Sequence, residues 1–392
     1  MRIRKGFELT YCTNIHAADG WPQVFESLKR YAPDLRNRLQ PEGSFGLGLR
    51  LANNEAIELL SGSNLEEFAD FLRDSGLYVA LINGFPYGRF HGRRLKDQVF
   101  APDWHTEERV SYTLRLTEIL SSLLPKGLDG GISTSPLSYK RWKDSDGPDW
   151  DLLVRNVVRT AAQMFESMRR TGQDIHLDIE PEPDGLVETT EEFLRFYERV
   201  LHTGAPLLAN SAQLSRMQAE DTLRQHVAFC YDLCHSTVEY EDSQTVIDSL
   251  RKAGVRIGRV QVSSAIKIAI PSQSPDRELL GEYLSAFADP VYLHQIIGNC
   301  ERYADLPEAL DRLKDTRSTE WRIHYHVPLF MASYGKVDST QAEVKGALVE
   351  LRADEVRHLE IETYTWSVLP SHQRLEIVDS IEREYRWVMA QL

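Results

Sequence analysis

Asp174-Ile175-His176-Leu177-Asp178-Ile179-Glu180-Pro181-Glu182-Pro183-Asp184-Gly185 is a short β pattern stopped by two prolines. Side chains alternate along a strand, so His176, Asp178 and Glu180 share one face and Ile175, Leu177 and Ile179 the other. The aliphatic face suits a covering layer of helices. The opposite face then points three ionisable groups inward, into a barrel. Buried charge is costly unless it is paired or binds a metal. Pro181 and Pro183 end the strand and leave Glu180 at its C-terminal rim. An acidic surface loop is the plain alternative, and the regular alternation with aliphatics argues against it.

Working outward, eight further runs read as strands: Phe7–Asn14, Phe45–Leu51, Leu77–Asn83, Gly131–Thr134, Val227–Tyr231, Arg259–Ser263, Arg322–Val327 and His358–Thr363. Amphipathic patterns lie between them, among them Val24–Leu39, Glu107–Leu124, Leu152–Arg170, Glu191–Leu201, Thr245–Lys252, Pro307–Lys314, Gln341–Leu351 and Gln373–Met389. Repeated β–α alternation implies right-handed crossovers and a parallel sheet. Eight or nine such units in 392 residues fit a (β/α)8 TIM barrel better than an open doubly wound sheet. No strand is followed by a dinucleotide fingerprint or a phosphate loop. With no linker, repeat or low-complexity tract, residues 1–392 read as a single domain. Nine strands for eight places predict that one of them belongs to an insertion around 271–319 or is not a barrel strand at all, and the pattern does not say which.

Composition narrows the function classes. There are 45 Lys and Arg against 59 Asp and Glu, a formal charge of −14, which argues against a nucleic-acid partner and an anionic membrane surface. No apolar run approaches the roughly 20 residues needed to span a bilayer, so no membrane insertion is expected. Met1–Gly6 is basic, but a strand rather than an apolar leader core follows, and four cysteines do not make a disulfide framework. Both point to a reduced, cytoplasmic protein. One local basic cluster, Arg89-Phe90-His91-Gly92-Arg93-Arg94-Leu95-Lys96, could hold a single anionic group.

Three more strand ends carry chemistry. Phe229-Cys230-Tyr231-Asp232-Leu233-Cys234-His235 closes on a D-x-x-H, a carboxylate and an imidazole spaced to share a divalent ion. Cys230 and Cys234 lack the second pair a thiolate zinc site needs and read as buried thiols. In Arg322-Ile323-His324-Tyr325-His326-Val327-Pro328, His324 and His326 share a face. In His358-Leu359-Glu360-Ile361-Glu362, the two glutamates do. Oxygen and nitrogen donors from four strands suit Mn²⁺, Zn²⁺, Co²⁺ or Mg²⁺. Such an ion polarises a carbonyl while carboxylates move a proton. The polar loop residues Asn14, His16, Asn83, Tyr87, His294 and Gln295, with Gln261 and His324 on strands, fit a small-molecule pocket as substrate contacts. Tyr364 and Trp366 offer an apolar platform, and Lys140 and Lys267 are possible anion or carbonyl partners.

At these residues the chain resembles the xylose-isomerase-like TIM barrels, which include sugar isomerases and epimerases. The resemblance implies Glu180, Asp232 and Glu362 as metal ligands with His235 beside them, and Glu180 and Glu362 as the acid/base pair. Gln261 stands where that pattern has a ligand histidine. His326, 36 residues before Glu362, is the substitute imidazole, at the spacing of a final βα unit. The segments Gly6–His16, Asn83–Gly88, Gln261–Ala265, Tyr292–Gln295 and Glu362–Trp366 are similar to the metabolite-traffic protein EboE family. That narrower resemblance implies a secondary-metabolite pathway with partner proteins, and a homodimer is the other assembly the reading admits. The expected function is a metal-dependent isomerase or epimerase acting on a sugar-like or carbonyl-containing metabolite. The alternative is a non-catalytic metabolite-binding or traffic protein that keeps the barrel and the pocket.

Overall fold

A computed structural model describes residues 1–91, 95–142, 147–366 and 375–392. The middle of the basic cluster (92–94) and the start of the last expected helix (373–374) lie outside the described residues.

The barrel strands are β1 (Glu8–Tyr11), β2 (Phe45–Arg50), β3 (Leu77–Asn83), β4 (Gly130–Thr134), β5 (Ile175–Ile179), β6 (Val227–Asp232), β7 (Ile257–Val262) and β14 (His358–Ile361). They pair in parallel in the order β1-β14-β7-β6-β5-β4-β3-β2. A single parallel bridge between Cys12 and Gly48 joins the two end strands. This is the expected (β/α)8 barrel, with helices packed outside. The helix Trp150–Thr171 shows why such segments form. Asp149 caps its N-terminus by accepting from the Leu152 N–H, and Gly172 stops it in the left-handed region at φ 76°. Leu153, Val154, Val157, Ala161 and Met164 bury one stripe between those ends.

Six further strands form a second, antiparallel sheet: β8 (Ser264–Ala269), β9 (Ile296–Gly298), β10 (Arg302–Tyr303), β11 (Glu320–Val327), β12 (Ser333–Tyr334) and β13 (Val337–Ser339). The ninth sequence strand is therefore β11. It lies outside the barrel and also outside the expected 271–319 insertion, because the second sheet runs from Ser264 to Ser339. The spacing from His326 to Glu362 is thus not a final βα unit. The chain leaves β7 at the barrel's C-terminal end, enters β8 after one residue, and returns through helix Gln341–Glu350 to β14. The excursion sits over the mouth by construction. Its own core, with Ile266, Ile268, Trp321, Ile323, Tyr325 and Val327, is separate from the main one.

Inside the barrel, Arg259 of β7 reaches Asp178 (Nε–Oδ2 2.9 Å) and Glu360 (Nη1–Oε2 2.9 Å), all three fully buried. This network pairs two of the inward charges that alternation on β5 and β14 places there, Asp178 and Glu360.

Candidate metal centre at the barrel mouth

The sequence-predicted ligands converge from the C-terminal ends of β5 (Glu180), β6 (Asp232, His235) and β14 (Glu362) and from β11 (His326). Facing oxygens of Glu180, Asp232 and Glu362 lie within 4.8 Å of one another, as do ligand atoms of Asp232, His235 and His326. Asp232 caps the short helix Leu233–Val238, its Oδ1 accepting from the N–H groups of Cys234 (2.7 Å) and His235 (3.1 Å). That cap turns His235 back over the mouth. Asn14 and Asn83 both donate to Glu362 Oε1, at 2.7 and 3.0 Å.

His324, expected as a substrate contact, stands with the ligand group. The Nε2 atoms of His235 and His324 are 3.0 Å apart, those of His324 and His326 3.0 Å, and those of His326 and His235 3.3 Å. Each ring uses Nδ1 elsewhere. His235 donates to the Pro181 carbonyl (2.9 Å), His324 to Gln295 Oε1 (2.7 Å), and His326 to the Glu362 carbonyl (3.1 Å). With Nδ1 protonated, each neutral imidazole presents a bare lone pair at Nε2, and three lone pairs repel unless a cation sits among them. Nitrogens about 2.0 Å from a tetrahedral zinc stand about 3.3 Å apart, close to the observed triangle. Around it Asp232 Oδ2, Glu182 Oε2 and Glu362 Oε2 are buried without a hydrogen-bond partner. The donor set therefore fits a divalent ion.

Electrostatics agree. Burial lowers His235 to about 3 and His326 to about 4, and lowers His324 well below its usual value, helped by the neighbouring imidazoles. The rings are neutral. Burial, then the facing Glu362, pushes the Glu180 carboxyl well up, and burial followed by Asp232 does the same to Glu362. Asp232 is raised by burial and Glu182 by burial to about 8. Crowded carboxyls that hold protons so firmly are groups that a cation would deprotonate.

The mouth cavity is small, about 50 Å³, and Phe85, Phe90 and Tyr364 help to line it. Tyr364 stacks on His326 with ring centroids 4.8 Å apart. The other expected pocket residues are placed elsewhere. His16 stacks on Tyr31 and bonds the Tyr11 hydroxyl (3.0 Å), filling a niche behind Phe90. Tyr87 packs edge-on against Tyr112. Gln261 lies inside the barrel, its Oε1 accepting from the Cys230 thiol (3.0 Å). His294 supports β11 from behind, stacked on Tyr325 at 3.6 Å and bonded to the His324 carbonyl. Trp366 packs with Phe330 in the second sheet's core. Lys140 is held by Glu188 and Glu192, and Lys267 by Glu343. Sequence reasoning passed over Glu182, whose only signal was its place one residue beyond Pro181.

No family model matches the chain and no curated protein matches it, so the narrower EboE resemblance finds no support there. Among solved structures the chain is similar to the IolI protein with a bound zinc atom, at 11% identity over 98% of each chain with TM-score 0.47. It is also similar to a xylose isomerase domain protein from Alicyclobacillus acidocaldarius, at 11% identity over 98% of each chain with TM-score 0.43. A third is 3-keto-D-glucoside 4-epimerase from E. coli, at 15% identity over 79% of this chain and 97% of that one, with TM-score 0.36. Among the described residues no helix is long and apolar enough to cross a membrane.

Proposed function

We propose that this chain is a divalent-metal-dependent isomerase or epimerase acting on a sugar-like or carbonyl-containing small molecule. The observation that carries the proposal is the triangle of Nε2 atoms at 3.0–3.3 Å, each with its Nδ1 committed to a separate acceptor. His235, His324 and His326 would hold the ion, with Asp232 and the paired glutamates beside it. When bound, the ion supplies polarisation of a substrate carbonyl. Glu180 and Glu362 face each other beside that position. With an ion bound, one of the two gives up its proton, and that carboxylate can take a proton from the carbon next to the carbonyl while the other, which burial keeps protonated, returns one to the opposite position. Asn14 and Asn83 fix Glu362 Oε1 and leave Oε2 free for that exchange. The ligands come from both sheets, which supports treating residues 1–392 as one functional unit.

The second reading is a binding protein without turnover that keeps the barrel and the pocket. Either role requires Phe90 or Tyr364 to swing aside for a hexose, because the cavity of about 50 Å³ has room for an ion and a water. The EboE-like role in secondary-metabolite traffic rests on the quoted sequence motifs alone, so pathway metabolites form one arm of the screen.

The test is metal content of untagged protein by inductively coupled plasma mass spectrometry, beside a His324→Ala/His326→Ala double variant. The double variant should lose one ion per chain. The loaded protein should then exchange solvent deuterium into a ketose, keto-sugar or pathway metabolite, and Glu180→Gln or Glu362→Gln should reduce that exchange at least 100-fold, within the usual range for acid/base groups. Equal metal in both proteins removes the centre. A bound ion with no exchange in any compound leaves the binding-protein reading.

A further inference from the structure

The opposite end of the barrel holds a second constellation that the mouth chemistry does not use. His176 is the second residue of β5, His358 the first of β14, and Asp129 immediately precedes β4, so all three stand at strand N-termini. Both imidazoles are fully buried. His176 bonds the Asp178 carboxylate through Nδ1, and its Nε2 has no hydrogen-bond partner. Neither ring nitrogen of His358 has one. The open nitrogens face one carboxylate, with His358 Nε2 3.3 Å from Asp129 Oδ1 and His176 Nε2 3.8 Å from Asp129 Oδ2.

A buried ring nitrogen left unbonded is costly, and here the orphans converge. The surrounding backbone makes room for them. A Cβ at Gly131 would fall 2.2 Å from Asp178 Oδ2 and 2.6 Å from His176 Cε1, and one at Gly258 2.0 Å from Asp178 Oδ1. Only glycine leaves the His176–Asp178 pair its space. A carboxylate on Nδ1 with Nε2 free is the arrangement that orients a metal-binding histidine.

We infer that Asp129, His176 and His358 form a second divalent transition-metal site, with Asp178 positioning His176. Two imidazoles and one carboxylate suit Zn²⁺, Co²⁺ or Fe²⁺ rather than Mg²⁺ or Ca²⁺. Arg357 (2.7 Å) and Arg256 grip the Asp129 carboxylate and fix its direction. Asp174 pairs with Arg256 (3.1 Å) and offsets its charge, and Asp129 borders an adjoining cavity of about 560 Å³.

The experiment uses full-length protein freed of metal by chelation, reloaded with Zn²⁺, gel-filtered and analysed for bound zinc. The His324→Ala/His326→Ala double variant should still hold one zinc per chain and melt at higher temperature in its presence. Adding Asp129→Asn should weaken that binding at least tenfold. A folded double variant that takes up no zinc, with no shift in melting, overturns the inference and reduces the cluster to an ion-pair network. Should the double variant not fold, Asp129→Asn alone is expected to remove one ion from the wild-type complement, and an unchanged complement overturns it. Failure of the mouth assignment looks different, because the double variant and the wild type would then hold equal zinc.

Discussion

Gln295 gives His324 its direction. Its Oε1 takes the Nδ1–H at 2.7 Å while its own amide donates to the Pro183 carbonyl at 2.8 Å, so neither end can turn over without losing a bond. Replacing it with leucine frees the ring and both of its tautomers. Gln295→Leu should weaken metal binding about 10–100-fold, as loss of an outer hydrogen-bond partner does. Competition against a coloured chelator measures this, and a matching melt of the metal-free proteins separates it from unfolding. Unchanged affinity would mean that β11 alone sets the ring. Sequence could show that His324 and His326 share a face, because alternation is local. It could not show that Gln295, 29 residues earlier, meets His324, since that pairing depends on how β9 lies against β11.

At the level of elements, β7 carries the barrel's electrostatic keystone. Arg259 neutralises carboxylates from two other strands and also donates to the Ile82 carbonyl at 3.1 Å. Arg259→Met would leave Asp178 and Glu360 buried without a counter-charge. The expected loss is about 3–5 kcal/mol in urea unfolding. A loss below about 1 kcal/mol, the range of exposed pairs, would contradict this account of the interior. The inward charge on β5 and β14 was legible because polar and aliphatic residues alternate without interruption. The place of β11 was not. Ile323, Tyr325 and Val327 bury one face in the second sheet's core, and a half-buried strand shows the same period whichever sheet owns it. The alternation therefore shows its two histidines but not that β11 is the strand outside the barrel, and the 36-residue spacing from His326 to Glu362 is not a βα unit.

For the molecule as a whole, the mouth makes stability depend on pH. Unfolded Glu182 ionises above about 4.5, while burial holds its proton in the folded chain up to about 8. Between those values the folded state binds the extra proton, so metal-free protein loses stability as pH rises. Glu182→Gln removes that dependence. Its denaturation midpoint should gain on the wild type at pH 8 relative to pH 5, in protein stripped of metal. An identical difference at both pH values would refute the assignment. The alternating pattern and strand count carried the barrel from sequence. The second sheet's extent was hidden because β8 follows β7 after a single residue, with no break in the apolar pattern. One feature of the closure reaches the chemistry. Between β1 and β2 the ring is held by the Cys12–Gly48 bridge and by the Arg50 N–H on Thr13 Oγ1 at 2.9 Å. Asn14, the next residue, grips Glu362. The barrel thus has an expansion joint beside its reactive carboxylate, and any opening of that slit would loosen the clamp on Glu362 before it disturbed the strands opposite.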